Sequence, residues 1–407
     1  MESDGKTQRE YWNRRFKAVA FGIVLALTAL TIRHLYETTL FGHPICDNCR
    51  PDFPQFYAAA KLIRQSPSAL YDEGSQLLIQ KSIDFRIGDS LLPYTYPPFT
   101  AMVLIPLGWL SFPVAYAAMA LLNLVLLVLC LRLLISRLQL TSEQSIWLIL
   151  IASCNFGVHS AILQGQASLI MLMLMVIFTF SFQGTHHIKT GLSTGLMFFK
   201  PQLQLAPFII LFTRRRWFAL AIAFVTVTAL AAFSLLLVGW AAIHQYLILL
   251  RTYLMSERGY GSYPEAMHNL RALAQYAVPF SWSRYLWVML LLLVAAATFT
   301  LNAQRRTNPK MTAIQWIGNL VAGVLIAPHL YPHDLAILIV PTAFSVKMFQ
   351  DAMPLWLISV MIAVGVYPVL PLAFEEPMPP LVPLTLLVIF FQCVLLSYRE
   401  ERSPVGR

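Results

Sequence analysis

Long apolar runs separated by short loops dominate this chain, and the loops are where its basic residues collect. The runs are 17–36, 101–131, 146–163, 167–183, 217–238, 283–301, 313–328, 334–347, 353–372 and 381–398, with 190–213 as a further, interrupted one. A helix needs about 20 apolar residues to cross a bilayer, and inside lipid only helices and closed barrels satisfy their own backbone groups. The pattern predicts an all-α polytopic membrane protein, a single integral-membrane domain over residues 1–407. Charge agrees, because 12% of the residues are Asp, Glu, Lys or Arg against about 25% in soluble domains. The net charge of +10 implies no nucleic-acid partner. The bases form loop clusters instead: Arg14, Arg15 and Lys17; Arg132 and Arg137; Arg214 to Arg216; Arg305, Arg306 and Lys310; Arg399 and Arg402. That is the distribution of cytoplasmic loops.

The first run follows basic residues, yet Arg33-His34-Leu35-Tyr36 comes where a small-residue cleavage site would stand, so it reads as an uncleaved span. Cys130, Cys154 and Cys393 lie in apolar runs and read as packing residues. Cys46-Asp47-Asn48-Cys49 reads as a local outer-face disulfide or two free thiols; one Cys pair without partners is a weak metal signal. The segment 190–213 is long enough for one crossing, but Lys200-Pro201 interrupts it, and proline disfavours helix in the residue before it. A single crossing would put Lys189 and the Arg214 to Arg216 triplet on opposite sides. Two short helices meeting near Lys200 bring every basic cluster inside, with cytoplasmic termini and about twelve segments. The hairpin is the preferred reading, although residues 191–199 then reach only about 14 Å at 1.5 Å per residue.

In that topology the polar residues left unexplained by orientation gather on one face. They lie in an outer loop at about 37–98, at Gln164-Gly165-Gln166, at the Lys200 tip, in a loop at about 239–280, and around 328–334. A transporter would instead place polar groups near the midplane between repeated halves, and no internal repeat is visible. The first loop is expected to hold two amphipathic helices lying in the membrane interface. In residues 53–65, Phe53, Phe56, Tyr57, Ala60 and Ile63 form the apolar stripe while Gln55, Lys61, Arg64 and Gln65 face water. In 75–87, Leu77, Leu78 and Ile83 alternate with Gln80, Lys81 and Asp84.

Candidate site residues each carry two readings. Asp52 is a carboxylate beside the bilayer, a functional residue by default, and equally the N-cap of the 53–65 helix in a capping box with Gln55. Lys200 is a snorkelling lysine or an anion contact where water is scarce. His329 and His333 stand at helical i, i+4 spacing, but Pro332 lies between them and no Glu follows the first His, so this is no zincin motif. Asp334 either caps the next span or joins those imidazoles in binding a phosphate or hydroxyl. His268, Asn269 and Arg271 are solvated loop residues or ligand contacts. Gln164 and Gln166 satisfy backbone groups at a tight turn or face the site. Tyr94 and Tyr96 form an interfacial anchor or a platform for a sugar face. No phosphate loop, dinucleotide fingerprint, nucleophile elbow or Asp-x-Asp pair is present, so a transferase here would use a lipid-borne activated donor.

Taken in order, Asp52-Phe53-x-x-Phe56-Tyr57-x-Ala59-Ala60, Tyr71-Asp72, Tyr96-Pro97-Pro98-Phe99 with Pro106-Leu107, Gly165-Gln166, Gly191-x-x-x-Gly195 before Lys200-Pro201-Gln202, and the His333-Asp334 string resemble the GT-C membrane glycosyltransferases. More narrowly, the chain resembles the polyprenol-phosphate-mannose-dependent alpha-1,2-mannosyltransferases that include the phosphatidylinositol mannoside enzymes. The resemblance covers about residues 50 to 340. It implies a GT-C-like bundle in a bacterial plasma membrane with its active site facing outward, no cofactor and no metal. It also implies inverting transfer of a hexose, mannose favoured, from a polyprenyl-phosphate donor to a lipid or glycan acceptor. Asp52 would be the catalytic base; Lys200, His329, His333, Asp334, His268, Asn269, Arg271, Gln166, Tyr94 and Tyr96 would hold the donor phosphate and sugar. The competing readings are a flippase or permease for lipid-linked saccharides or small solutes, and a structural membrane subunit.

Overall fold

A computed structural model describes residues 2–36, 51–83, 91–255, 263, 266–303, 310–349, 360, 364–367 and 380–402. Among the described residues all regular structure is helical. The principal helices are α1 Glu2–Tyr36, α2 Phe53–Gln65, α3 Glu73–Ile83, α4 Pro98–Val103, α5 Phe112–Leu138, α6 Ser142–Cys154, α7 Phe156–Leu163, α8 Ser168–Gln183, α9 His187–Leu196 and α10 Pro201–Thr213. They continue with α11 Trp217–Met255, α12 Leu270–Ala277, α13 Phe280–Ala303, α14 Ala313–Ile326, α15 Ile339–Met348 and α16 Leu381–Arg402. Five are long and apolar enough to cross a membrane: Arg14–Tyr36 of α1, α5, Trp217–Tyr253 of α11, α13 and Leu381–Arg399 of α16. The α6–α7 pair, bent by 51°, makes a sixth if it counts as one span. This is a membrane protein. Helices α8, α10 and α14 are apolar but shorter, and the expected 353–372 span, Cys46 and Cys49 fall mostly or wholly outside the described residues.

The interrupted 190–213 segment folds back on itself. Ring contacts pair Phe212 with Trp217 and Phe208 with Phe224, so α10 runs antiparallel to α11. The His187 ring meets Phe218, whereas Gly191 faces Ala219 and Ile222 and Gly195 faces Thr226, so α9 runs parallel to α11. The chain therefore reverses at Lys200, where Pro201 starts the new helix. A methyl group on Gly195 would lie 2.4 Å from Thr226 Cβ; the small residues let α9 and α11 approach closely, the packing that serves where lipid supplies no hydrophobic drive.

The basic end of the bundle is tied together by polar contacts between distant segments. Lys17 Nζ meets Glu143 at 3.3 Å, Lys347 Nζ donates to the Gln139 carbonyl at 3.0 Å, and Arg214 donates to the Lys310 carbonyl. Cys130, Cys154 and Cys393 are free and buried as packing residues.

The first loop differs from the interfacial pair expected of it. In α2, Gln55 is buried along with Phe53, Phe56, Tyr57 and Ala58 to Ala60, so nearly the whole first half of the helix faces protein rather than water. Phe53 packs against Phe112 and Tyr116 of α5, and the Tyr57 hydroxyl donates to the Leu110 carbonyl. In α3 the expected polarity is partly inverted: Leu78 is exposed and Gln80 fully buried. Gln76 and Gln80 each receive a backbone N–H, from Tyr94 and Leu92, and donate to the Leu70 and Leu92 carbonyls. Their amides satisfy backbone groups of the extended 91–96 segment as a neighbouring strand would. Periodicity could not reveal this, because a buried glutamine and a solvated one look alike in sequence. Beyond the break at Gly239 (φ 80°), α11 continues to Met255, so much of the expected 239–280 loop is helix.

Candidate active site

Asp52 immediately precedes α2, but its side chain makes no cap hydrogen bond. The capping box with Gln55 does not form, because Asp52 lies in αR backbone (φ −76°, ψ −14°) rather than the extended conformation a cap adopts. Its carboxylate is claimed from elsewhere: Gln166 Nε2 donates to Oδ2, and Gln164 Oε1 accepts the Asp52 backbone N–H at 2.9 Å. Both glutamines come from the turn between α7 and α8. Gly165 at its centre has φ +60° and approaches Phe53 so closely that an added methyl would lie 2.7 Å from Phe53 Cβ. A left-handed glycine thus brings the two amides to Asp52.

Gln166 is itself held. Its Oε1 accepts from the Tyr96 hydroxyl at 2.7 Å and its backbone carbonyl accepts from Asn123 Nδ2 at 3.0 Å. Asp52 is half-buried, keeping an opening toward solvent. Loss of water around it pushes its carboxyl up to about 6, against the opposing effects of the Gln166 hydrogen bond and the Lys200 charge; Asp334 pushes the same way as burial.

Lys200 does not snorkel. It is 2% exposed at the hairpin tip, and its ammonium pairs with Asp334 Oδ1 and donates to Ser168 Oγ at 2.9 Å. Ser168 also donates to Asp334 Oδ1 at 3.0 Å. Asp334 caps no helix. The ammonium lies 5.8 Å from the Tyr96 ring centre, so Tyr96 faces both the cation and the Asp52 arm.

The histidines line the same region without sharing a helical face, since Pro332–Leu338 is a 3₁₀ turn. His333 Nε2 is 3.6 Å from Asp334 Oδ2, and burial pushes its ring down to about 3, so it is neutral at pH 7. His329 meets the Tyr253 hydroxyl through Nε2, stacks edgewise on Tyr331, and its buried Nδ1 has no hydrogen-bond partner. Burial and the Arg271 charge push it well below its ordinary value. Among the described residues no group of three or more His, Cys, Asp and Glu side chains is arranged to hold a metal ion.

The expected 268–271 loop is buried, not solvated. His268 donates its backbone N–H to the Leu330 carbonyl, and burial pushes its ring down to about 4. Asn269 caps α12, accepting from the Ala272 N–H while donating to the Ala327 carbonyl; its amide is occupied at both ends by structure. Arg271 lies over the Trp287 ring at 5.9 Å. Tyr94 is fully buried between the tilted rings of Tyr71 and Tyr96, with its hydroxyl turned toward the Pro97 carbonyl. Asp52, Gln166, Tyr96, Lys200, Asp334, His333 and His329 therefore form one connected neighbourhood. Tyr94, His268 and Asn269 stand behind it, whereas the Arg271 charge reaches His329, Tyr253 and Tyr331. Ser168, Asn123, Tyr253 and Tyr331 belong to it as well; Ser168 and Asn123 carried no sequence signal, being uncharged residues within apolar runs.

The site thus gathers a half-buried carboxylate outside any ion pair among the described residues, a buried lysine–aspartate pair, tyrosine hydroxyls and neutral imidazoles within a membrane bundle. Residues 94–328 match the family model Glycosyltransferase family 87, more than half of the chain, and the chain belongs to that family. It is a glycosyltransferase. No curated protein and no solved structure matches it. The matched stretch includes Tyr96, Gln166 and Lys200; Asp52 precedes it, and His329, His333 and Asp334 follow.

Proposed function

We propose that the chain is an inverting transferase that moves a hexose, mannose favoured, from a polyprenyl-phosphate donor to a hydroxyl of a lipid or glycan on the extracytoplasmic face. One observation carries this reading: Asp52 is drawn out of its capping role and left with one carboxylate oxygen uncommitted, in a place where burial pushes its carboxyl up to about 6. A base with a pKa just below the working pH is ionised yet basic enough to accept a proton in the transition state.

In the reaction the acceptor oxygen attacks the anomeric carbon from the face opposite the phosphate. The C–O bond to phosphate breaks as the new one forms, the acceptor proton passes to Asp52, and polyprenyl phosphate leaves as the anion. Phosphate needs no acid to depart, so a single carboxylate suffices, unlike the paired carboxyls of most glycosidases. The ammonium of Lys200 has three donors; two are engaged by Asp334 and Ser168, and the third is assigned to the phosphate. The unpartnered His329 Nδ1 is a further contact for the donor. Fixed dipoles and charges at a departing oxygen are worth more in a dry site than in water. The outward orientation is supported by the basic clusters joined at the opposite end of the bundle.

The test is transfer by purified protein from a panel of polyprenyl-phosphate sugars to a polar lipid extract, with products weighed by mass spectrometry. Asp52→Asn is expected to fold and to lose about 10²- to 10⁴-fold in rate. Undiminished transfer in that variant rules Asp52 out as the base. Movement of labelled donor across proteoliposomes without any acceptor would favour a flippase instead.

A further inference from the structure

The glutamine at the α7–α8 turn has an arrangement that neither phosphate nor sugar binding explains. We infer that Tyr96 and Gln166 form a positioning relay that fixes the Asp52 carboxylate, holding Oδ2 so that Oδ1 is presented to the acceptor hydroxyl. The inference rests on Asp52 being the base, and it moves Gln166 and Tyr96 from the donor side of the reaction to the base side.

A primary amide has an accepting end and a donating end of nearly the same shape, and a carboxylate can only accept. Gln166 serves Asp52 only if Nε2 faces it. The acceptor-only carboxylate selects that orientation, and Tyr96 completes it: its hydroxyl donates to Oε1 at 2.7 Å while Nε2 is directed at Asp52 Oδ2. The alternative orientation would set two oxygens against each other. Tyr96 is 8% exposed and Gln166 3%, so no bulk water competes for either contact, and an unmet buried polar group is costly.

Both members are anchored independently of each other. Asn123 Nδ2 donates to the Gln166 carbonyl, and Gly165 sets the turn. Tyr96 is placed by the α3 glutamines that bracket residues 92–94 and by the Tyr71 hydroxyl, which donates to the Tyr96 carbonyl at 2.6 Å. Its ring packs on Phe56 of α2, the helix that Asp52 heads. Local propensity has no part in this: the three side chains come from segments 44 and 70 residues apart, and their convergence fixes one rotamer of one carboxylate.

The charged and titratable groups facing Asp52 are Lys200 from the hairpin tip, Asp334 from the 3₁₀ turn, Tyr96 from the 91–96 segment, Tyr116 from α5 and Tyr253 from α11. The relay variants leave Lys200, Asp334, Tyr116 and Tyr253 in place, so a change in Asp52 titration reports the relay. Loss of the Gln166 donor destabilises the ionised carboxylate and must move its titration to higher pH.

The test is an infrared titration of purified full-length protein in detergent, the Asp52→Asn spectrum subtracted to isolate the Asp52 carboxyl band. Gln166→Met keeps length and flexibility without the amide; Tyr96→Phe keeps the ring and removes only the hydroxyl. Wild type is expected to titrate near pH 6. In Gln166→Met the midpoint is expected about one to two pH units higher, the equivalent of one hydrogen bond to a charged group, with a smaller rise in Tyr96→Phe. The acid limb of kcat/KM for polyprenyl-phosphate mannose moves by the same amount, and raising the pH restores turnover with donor KM unchanged. Midpoints equal to wild type in both variants overturn the relay. If Gln166→Met does not fold, Tyr96→Phe decides alone. Full activity of Asp52→Asn defeats the proposed base, whereas an inactive Asp52→Asn beside unshifted relay variants defeats only the relay.

Discussion

Lys200 and Asp334 offer the sharpest test of the site as a built object. Both side chains are 2% exposed, they are paired directly, and Ser168 bridges them. Taking two ions out of water is expensive, so the pair stands only while both members are present. Asp334→Asn leaves a buried ammonium facing a neutral amide, and Lys200→Met leaves a buried carboxylate; each is expected to cost about 3–5 kcal/mol. The double variant removes both charges together, leaves no ion to solvate and is expected to cost less than either single change. The cycle should therefore close with a coupling of at least about 3 kcal/mol, well above the tenths of a kcal/mol at which independent sites add. Reversible unfolding in mixed micelles, followed by tryptophan fluorescence, measures it. A snorkelling lysine at the headgroup level predicts single costs below about 1 kcal/mol that add. Additive singles would refute the buried pair and with it the placing of Lys200 beside Asp52.

Other outcomes follow from the same geometry. Because the Asp52 carboxyl titrates near 6 in the folded protein and near 3.8 when unfolded, folding takes up a proton between those values, and stability falls as pH rises from about 4 to 6. Above pH 6 Asp52→Asn should unfold later than wild type, by about 1–3 kcal/mol after allowance for its partial exposure, while being inactive; an Asn variant less stable at pH 7 than at pH 4, relative to wild type, reverses the sign and refutes this. Gly165→Ala forces a left-handed alanine, at about 1–2 kcal/mol, and drives a methyl into Phe53. It should lower both thermal stability and transfer, and unchanged transfer would show that the turn does not set the Gln166 position.

What the sequence revealed depended on scarcity. Charges are rare in this chain, so Asp52, Lys200 and Asp334 stood out, and the clustering of bases was enough to prefer a reversal at Lys200. Where local pattern and distant contact compete, local reasoning failed. Asp52-x-x-Gln55 has the spacing of a capping box, but a glutamine 114 residues away takes the carboxylate. Gln55 and Gln80 sit at positions that periodicity assigns to water, yet both are buried, because a long polar side chain can serve a neighbouring backbone as well as solvent. Ser168 and Asn123 were invisible for the same reason. Each is unremarkable within an apolar run, and each acquires its role only when another segment brings a charge or carbonyl to it.

The buried pair also sets a schedule for making the protein. Lys200 and Asp334 are separated by 134 residues, which a ribosome working at about 5–20 residues per second takes about 7–27 s to add. For that interval the hairpin tip carries an ammonium whose counter-charge has not yet been synthesised. The pair can close only after α10 to α14 have been made, so burial of the Lys200 ammonium is a late step in assembly.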